Sequence, residues 1–173
     1  NTAFGIEGSK ITKLTGKTKL EDFPKLEIKQ KTGLTEVSLL ATGGTIASRI
    51  DYTTGGVAMA MTPEEILFSV RELGDIVSLK SVRLLFNLAS EDLWYKQWQQ
   101  LAEEAAKELN KTEGLIITHG TDTMHFSSAA LAFMLKTPKP VVLTGAQRSS
   151  DRGSSDTPLN LICSAIAAKS DIA

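Results

Sequence analysis

Three segments of this chain place glycine and hydroxyl side chains directly after an apolar run. They are 42–45 (Thr-Gly-Gly-Thr), 118–123 (Thr-His-Gly-Thr-Asp-Thr) and 144–151 (Thr-Gly-Ala-Gln-Arg-Ser-Ser-Asp). A threonine hydroxyl becomes a nucleophile when a base takes its proton and nearby donors hold the oxyanion. Glycine allows backbone N–H groups to approach the reacting centre closely. Thr45 and Thr121 are therefore candidate reactive or positioning hydroxyls, and Asp122 is placed to hold a substrate amine or to orient a lysine.

Other common chemistries find less support in the sequence. No Gly-x-Gly-x-x-Gly segment follows an apolar run and there is no P-loop, which argues against a dinucleotide or nucleoside triphosphate site. His119, His125 and Cys163 are the only histidines and the only thiol, and none has the spacing of metal ligands, so no metal is expected. We interpret the two histidines as structural. Phosphate binding at a glycine-rich helix start remains open.

Composition is that of an ordinary soluble domain. The chain has 173 residues, of which 42% are hydrophobic and 23% are charged, and its length fits one domain with an appendage. No apolar stretch approaches the ~18 residues of a membrane span, so no membrane association is expected. The single cysteine excludes a disulfide framework and fits a reducing compartment, which predicts a cytoplasmic location.

The hydrophobic pattern predicts strands that alternate with helices. Strands are expected at 37–41, 79–86, 114–118 and 140–144, and helices are expected from Thr62, from Ser90, over 123–135 and over 159–169. Short, uniformly apolar strands between helices predict an α/β fold with a doubly wound parallel sheet and helices on both faces. Ligands of such sheets bind at the carboxyl ends of the strands, so the glycine-hydroxyl segments should meet at one edge.

Local signals suggest how two of the helices begin. Thr62 and Glu65 match a capping box, with Pro63 in the first turn. Ser90 is the expected N-cap of the next helix, and capping alone accounts for it as well as substrate binding does. The buried stripe of that helix is expected to contain Trp94, Trp98, Leu101, Ala105 and Leu109.

A structural role explains several of these residues equally well or more simply. Gly43 and Gly44 serve a turn or close packing equally well. Arg148, Ser149, Ser150 and Arg152 are most simply a solvated loop.

Four segments of the sequence resemble the signatures of the L-asparaginase family, whose members hydrolyse side-chain amides with two threonines. These segments are "ATGGTIA", "HGTDTM", "PVVLTGAQR" and "SSDTPLNL". The resemblance implies the N-terminal domain of the asparaginase fold for 36–173. It also implies that Thr45 is the nucleophile, that Tyr52 is the mobile-loop tyrosine assisting it, and that Thr121 and Asp122 form the second catalytic pair. It places the substrate against Ser90, which holds the α-carboxylate, against the carbonyl of Ala146, and against Gly44, Glu91 and Gly120.

Longer segments of the sequence are similar to one branch of that family, the D subunits of archaeal glutamyl-tRNA(Gln) amidotransferases. They are "GGTIASRIDYTTGGV", "LFNLASED", "HGTDTMHFSSAALAFML" and "KTPKPVVLTGAQRSSDRGSSD". This resemblance implies a glutaminase that supplies ammonia for converting Glu-tRNA(Gln) to Gln-tRNA(Gln). It further implies a homodimer without its own cofactor and a partner E subunit that uses ATP and Mg. A free-standing L-asparaginase and a non-catalytic module that binds a small ligand or tRNA remain alternatives.

The two ends of the chain carry separate expectations. Residues 1–14 resemble the end of a small β-barrel that precedes the amidase in that branch, and 15–35 are polar enough for a linker. A floppy N-terminal tail is the alternative. We expect a fragment cut at both ends, with the family's catalytic lysine beyond residue 173, and therefore no turnover by these residues alone.

Overall fold

The computed structural model describes residues 4–7, 10–13, 32–51, 56–59 and 61–171. Near the N-terminus, strand β1 (Phe4–Glu7) pairs antiparallel with β2 (Lys10–Lys13). This hairpin lies in the segment expected to end a β-barrel, and the barrel itself stays a prediction. Most of the expected linker, as well as Tyr52, lies outside the described residues.

From residue 36 onwards the four strands of the main sheet alternate with helices, as the hydrophobic pattern predicts. In chain order the elements are β3 (Glu36–Gly43), β4 (Ser48–Ile50), β5 (Val57–Met59), α1 (Pro63–Phe68), α2 (Leu73–Ile76), β6 (Ser78–Leu88), α3 (Tyr95–Leu109), β7 (Gly114–Thr118), α4 (Met124–Met134), β8 (Val141–Thr144) and α5 (Thr157–Ala168). Strands β4 and β5 form an antiparallel hairpin directly after β3.

The main sheet has four parallel strands in the order β6-β3-β7-β8. Alternate side chains of a strand point to opposite faces, so two cores form. Val37, Leu39 and Ala41 of β3 face α1, α2 and α5, whereas Leu40 faces α3 and α4. Helices therefore cover both faces, which confirms the predicted doubly wound α/β architecture.

The start of α1 also matches the sequence prediction. The Thr62 hydroxyl accepts a hydrogen bond from the Glu65 backbone N at 3.3 Å, and Glu65 Oε2 accepts one from the Thr62 backbone N at 2.7 Å. This reciprocal pair is a capping box, and Pro63 occupies the first turn, where its missing N–H costs no hydrogen bond.

The start of α3 differs from the prediction. Ser90–Asp92 form a single 3-10 turn, Leu93 and Trp94 are extended, and the α-helix begins only at Tyr95. The expectation that Ser90 is the N-cap of this helix is therefore wrong. Trp94 is the N-cap of this helix and is 71% exposed, so its assignment to the core is also wrong.

Among the helices in the described part of the chain, none combines the length and the apolar character needed to cross a membrane.

Candidate active site

The segments that follow β3 and β7 touch through two glycines. Gly44 has a φ of +79°, and a Cβ atom placed on it would overlap the Cα atom of Gly120. Only glycine satisfies both constraints, the left-handed backbone and the absence of space. The two segments that carry Thr45 and Thr121 are thus brought together by backbone contact.

A second close contact joins the segments that follow β6 and β7. A Cβ atom on Gly120 would lie 2.8 Å from the Cβ atom of Ser90 and 2.9 Å from its Oγ atom. The Ser90 hydroxyl accepts a hydrogen bond from the Thr123 backbone N at 3.3 Å, and the Ser90 carbonyl accepts one from the Thr123 hydroxyl at 2.7 Å. Ser90 is therefore held by the exit of β7, two strands away in the sheet, rather than by a helix of its own.

The exit of β8 packs on the same cluster. A Cβ atom on Gly145 would lie 2.6 Å from the His119 carbonyl oxygen and 2.9 Å from Cγ2 of Thr121. The next residue, Ala146, is 1% exposed and belongs to the core that faces α1 and α5. All four strand exits consequently meet at one end of the sheet, as the fold prediction required.

A concavity of about 180 Å³ opens at this end of the sheet. It is lined by Gly44, Thr45, Ser48, Ala89, Ser90, Glu91, Gly120 and Asp122. Six of these are residues that the sequence singled out. Thr121 is not in the lining and packs its methyl group at Gly145, Ala146 is buried beside it, and Tyr52 lies outside the described residues.

Two lining residues, Ser48 and Ala89, were missed by sequence analysis. Ser48 ends the turn that follows Thr45, and its hydroxyl donates to the Gly44 carbonyl at 3.0 Å. Its position four residues after Gly44 in the same motif was the available signal. A larger, mainly apolar groove of about 770 Å³ lies along β8 between α4 and α5, and its lining includes none of the predicted site residues.

The candidate reactive groups are unpaired within the described residues. The Thr45 and Thr121 hydroxyls are half-buried and have no hydrogen-bond partner there. The exposed Asp122 carboxylate has none there either. By contrast, the nearby Thr42 hydroxyl donates to the Thr118 carbonyl at 3.0 Å. Thr45 and Asp122 thus offer polar atoms to a molecule that enters the concavity. The Ser90 hydroxyl lies 3.4 Å from Glu91 Oε2 at its rim.

His119 is fully buried behind the cluster. Its Nδ1 atom lies 2.7 Å from the Gly120 carbonyl oxygen, which can only accept, so this nitrogen carries the proton. Its Nε2 atom accepts from the Ser127 hydroxyl at 2.8 Å, and that hydroxyl in turn accepts from Trp98 Nε1 at 2.9 Å. Burial lowers the pKa of His119, which keeps the ring neutral. This arrangement fits its interpretation as a structural residue.

Within the ranges that the structure describes, no group of three or more His, Cys, Asp and Glu side chains is placed to hold a metal ion.

The segment after β8 is not the solvated loop expected from its composition. Arg148 and Arg152 are exposed, but Ser149 is 3% exposed and Ser150 is half-buried. The Ser150 hydroxyl donates to the Ile46 carbonyl at 2.6 Å. Ser150 is therefore part of the packing around the turn that carries Thr45, and the buried Ser149 hydroxyl accepts from Arg152 Nε at 3.3 Å.

Comparison with known proteins agrees with this geometry. Residues 36–173 match the family model described as "Asparaginase, N-terminal". The D subunit of glutamyl-tRNA(Gln) amidotransferase from Archaeoglobus fulgidus is 54% identical over 146 residues, which cover 84% of this chain and 35% of the relative. The D subunit from Thermococcus kodakarensis is 51% identical over 174 residues, covering 97% and 38%. This chain thus spans well under half the length of these curated relatives.

A solved structure has the same architecture. The thermostable L-asparaginase from Thermococcus kodakarensis superimposes with a TM-score of 0.68 at 32% sequence identity, over 79% of this chain and 42% of that protein.

Proposed function

Since this chain belongs to the asparaginase family, we propose that it is the amidase part of a glutamyl-tRNA(Gln) amidotransferase. It hydrolyses the side-chain amide of glutamine, or of asparagine, and supplies ammonia for converting Glu-tRNA(Gln) to Gln-tRNA(Gln). The supporting relatives are the two D subunits, which are about half identical to it over most of its length.

One observation carries the proposal: the contact between Gly44 and Gly120. It places Thr45 in the same concavity as Asp122 and Ser90. A nucleophile, a carboxylate and a substrate-holding hydroxyl on three different strand exits are what hydrolysis of a small amino-acid amide needs in one place.

In the proposed reaction, Thr45 Oγ1 forms a bond to the amide carbon while its proton passes to a base. The C–N bond then breaks as the nitrogen takes up a proton and leaves as ammonia. Water hydrolyses the resulting ester, which releases glutamate and restores the Thr45 hydroxyl. Thr121 and Asp122 assist proton transfer, and Tyr52 assists Thr45. Backbone N–H groups near Gly44 and Gly120 are the candidate donors to the oxyanion.

All of the proposed substrate contacts except that of Ala146 are made by residues that line the concavity. The Ser90 hydroxyl binds the α-carboxylate, and the Glu91 carboxylate beside it attracts the α-ammonium group. The carbonyl of Ala146 accepts a hydrogen bond from the amide nitrogen. Gly44 and Gly120 form the floor against which the substrate backbone lies.

We further propose that Thr121 and Asp122 work with a lysine of the longer protein. No lysine is among the described residues that line the concavity, so in this proposal the lysine comes from another part of the protein. These 173 residues by themselves are then inactive. In the proposed assembly the D subunit is a homodimer and its partner is an E subunit that uses ATP and Mg and binds Glu-tRNA(Gln).

The test is an ammonia-release assay on the longer protein that contains this chain. Glutamine and asparagine are compared, each with and without Glu-tRNA(Gln), ATP and the partner subunit. The proposal expects release from glutamine and, in the complete mixture, formation of Gln-tRNA(Gln). Release from asparagine with no formation of Gln-tRNA(Gln) would favour a free-standing L-asparaginase, the activity named for the solved structural neighbour. Release from neither amide would overturn the proposal and favour a binding module.

A further inference from the structure

The loop between β8 and α5, residues 145–156, reaches across the sheet to the turn that carries Thr45. The Ser150 hydroxyl donates to the Ile46 carbonyl at 2.6 Å, and the Ser150 backbone N donates to the Ser48 carbonyl at 3.2 Å. Asp151 Oδ2 accepts from the Ile50 backbone N at 2.8 Å. Strand β7 separates β3 from β8 in the sheet, so these three hydrogen bonds connect strand exits that are not neighbours.

The same loop is fixed at its base on α5. The Asp156 carboxylate accepts hydrogen bonds from the backbone N atoms of Gln147 and Arg148 at 3.0–3.1 Å. Asn160 Nδ2 bridges Asp156 Oδ2 and the Gly145 carbonyl, at 3.0 and 2.9 Å. The bonds from Gln147 and Arg148 hold the pKa of Asp156 below its usual range, so it stays a carboxylate near neutral pH. The loop therefore has a firm anchor from which Ser150 and Asp151 act.

What Ser150 and Asp151 hold is the part of the chain proposed to do the chemistry. Ile46 follows Thr45 directly, and the Gly44 carbonyl closes this turn by accepting from the Ala47 backbone N and the Ser48 hydroxyl, both at 3.0 Å. Ile50 is the last residue of β4, one end of the β4–β5 hairpin that leads to Tyr52.

We infer that Ser150 and Asp151 are positioning residues for amide hydrolysis: they fix the turn of Thr45 and the end of the β4–β5 hairpin that precedes Tyr52 in the chain. The inference rests on the proposed function. Ser150 acts on Thr45 through the Ile46 and Ser48 carbonyls, and Asp151 acts on the hairpin through the Ile50 amide. Because Asp151 is exposed and makes one described hydrogen bond, its loss affects overall stability little, whereas a small displacement of a nucleophile lowers turnover strongly.

The experiment compares Asp151→Ala, Asp151→Asn and Ser150→Ala in the longer protein, with the exposed, remote Glu103→Ala as the matched control. Asp151→Ala should lower kcat for glutamine hydrolysis between about tenfold and about 100-fold with little change in KM. Hydrogen exchange at the Ile50 amide should become faster. Asp151→Asn should restore both readouts, because the asparagine side-chain oxygen still accepts from Ile50. Ser150→Ala should lower kcat without accelerating exchange at Ile50.

Three outcomes count against these assignments and are distinguishable. An Asp151→Ala protein that turns over like wild type, although its Ile50 amide exchanges faster, would overturn the positioning role of Asp151. Should either alanine variant have a lower melting temperature but unchanged kcat per folded molecule, the residue is structural only. Absence of ammonia release from the wild-type protein would instead overturn the proposed function.

Discussion

The two ends of the sheet differ in how some of their polar side chains are paired. Towards the amino ends of the strands, the Glu108 carboxylate is 1% exposed and fully engaged. It accepts from the Ser38 hydroxyl at 2.8 Å, and it pairs with Arg83 at 3.2 Å and with Lys111 at 3.4 Å. At the carboxyl ends, the Thr45 and Thr121 hydroxyls have no partner in the described part of the chain.

The difference shows which end is built for stability and which end is available for binding. A buried carboxylate persists only when donors and cations surround it, as they do at Glu108. At the carboxyl ends, close glycine backbone contacts bring the exits of β3 and β7 together without using the Thr45 and Thr121 hydroxyls. Departures from full internal pairing concentrate at functional sites. Loss of an unpaired hydroxyl at the carboxyl ends should therefore lower activity, whereas loss of the Glu108 carboxylate should lower stability.

The largest expected effect is on activity at Thr45 and Thr121. In the longer protein, Thr45→Ala and Thr121→Ala should each lower glutamine-dependent ammonia release by at least about 100-fold, because each removes a group on which bond making or proton transfer depends. Thermal unfolding should change little. Thr45→Ser, which keeps a hydroxyl, should retain part of the activity. Thr35→Ala at the opposite end of the sheet is the control, and equal turnover in Thr45→Ala and Thr35→Ala would contradict the nucleophile assignment.

Close packing predicts the next effect, on stability at the carboxyl ends. Gly44→Ala should lower the free energy of unfolding by about 2–4 kcal/mol, since the new methyl group meets Gly120 and the backbone has a positive φ. Gly153→Ala is the matched control, because nothing lies within 4 Å of a Cβ atom there. Urea denaturation of both variants measures the difference. Equal midpoints would mean that the segments that carry Thr45 and Thr121 are not in contact.

At the opposite end, Glu108 predicts a pH dependence of stability. Burial favours its neutral form, but hydrogen bonds from Ser38, Ser81, Arg83 and Lys111 bring the pKa of Glu108 below the ordinary value of 4.5. A carboxyl whose pKa is lower in the folded state stabilises the fold above its unfolded pKa, and this contribution disappears as the pH falls through the folded pKa.

Glu108→Gln should therefore cost about 1–3 kcal/mol at pH 7 and flatten the decline of stability below about pH 4.5. Urea denaturation across this pH range compares it with the exposed Glu103→Gln. A decline as steep in Glu108→Gln as in wild type would assign the acid sensitivity to other carboxyls.

A substitution at Ser90 should affect both stability and substrate binding, and its expected change in stability is the smallest. Ser90→Ala removes the acceptor of the Thr123 backbone N and should lower the free energy of unfolding by about 1 kcal/mol. If its hydroxyl also binds the α-carboxylate, glutamine affinity should fall by more than this change explains. Ser69→Ala, which loses a hydrogen bond to Ile66 far from the concavity, is the control. Normal affinity in a destabilised Ser90→Ala would leave Ser90 a structural role only.

Sequence patterns predicted those features that depend on neighbours along the chain. The run Gly114–Thr118 appears as a strand with the predicted bounds, and the Thr62–Glu65 capping box forms because its two partners are three residues apart. Ser90 was misread for the complementary reason. Ser-Glu-Asp suits a helix start and a 3-10 turn equally well, and contacts with Gly120 and Thr123 decide between them.

Features that depend on strand order were beyond the local pattern. The overlap of Gly44 with Gly120 requires β3 and β7 to be neighbours, and the hydrogen bonds of Ser150 and Asp151 cross from β8 to the β3 exit. The composition of a short polar stretch between two elements does not identify such distant partners, so it predicts only a solvated loop. Thr45, Thr121 and Asp122 were found because glycine and threonine recur after strands, whereas Tyr52, Glu91, Ala146 and the substrate role of Ser90 came from the resemblance to the L-asparaginase family. The positioning loop has no signal of the first kind.

The central claim is that Thr45 attacks the amide, and the most direct test is to look for the covalent intermediate. The longer protein is quenched in acid during turnover of glutamine, digested, and the peptide that contains residues 39–48 is analysed by mass spectrometry. A nucleophile forms a γ-glutamyl ester that survives at low pH long enough to be mapped. We expect this mass increase at Thr45 in wild type and none in Thr45→Ala. A γ-glutamyl ester found at Thr121, with Thr45 unmodified, would contradict the account.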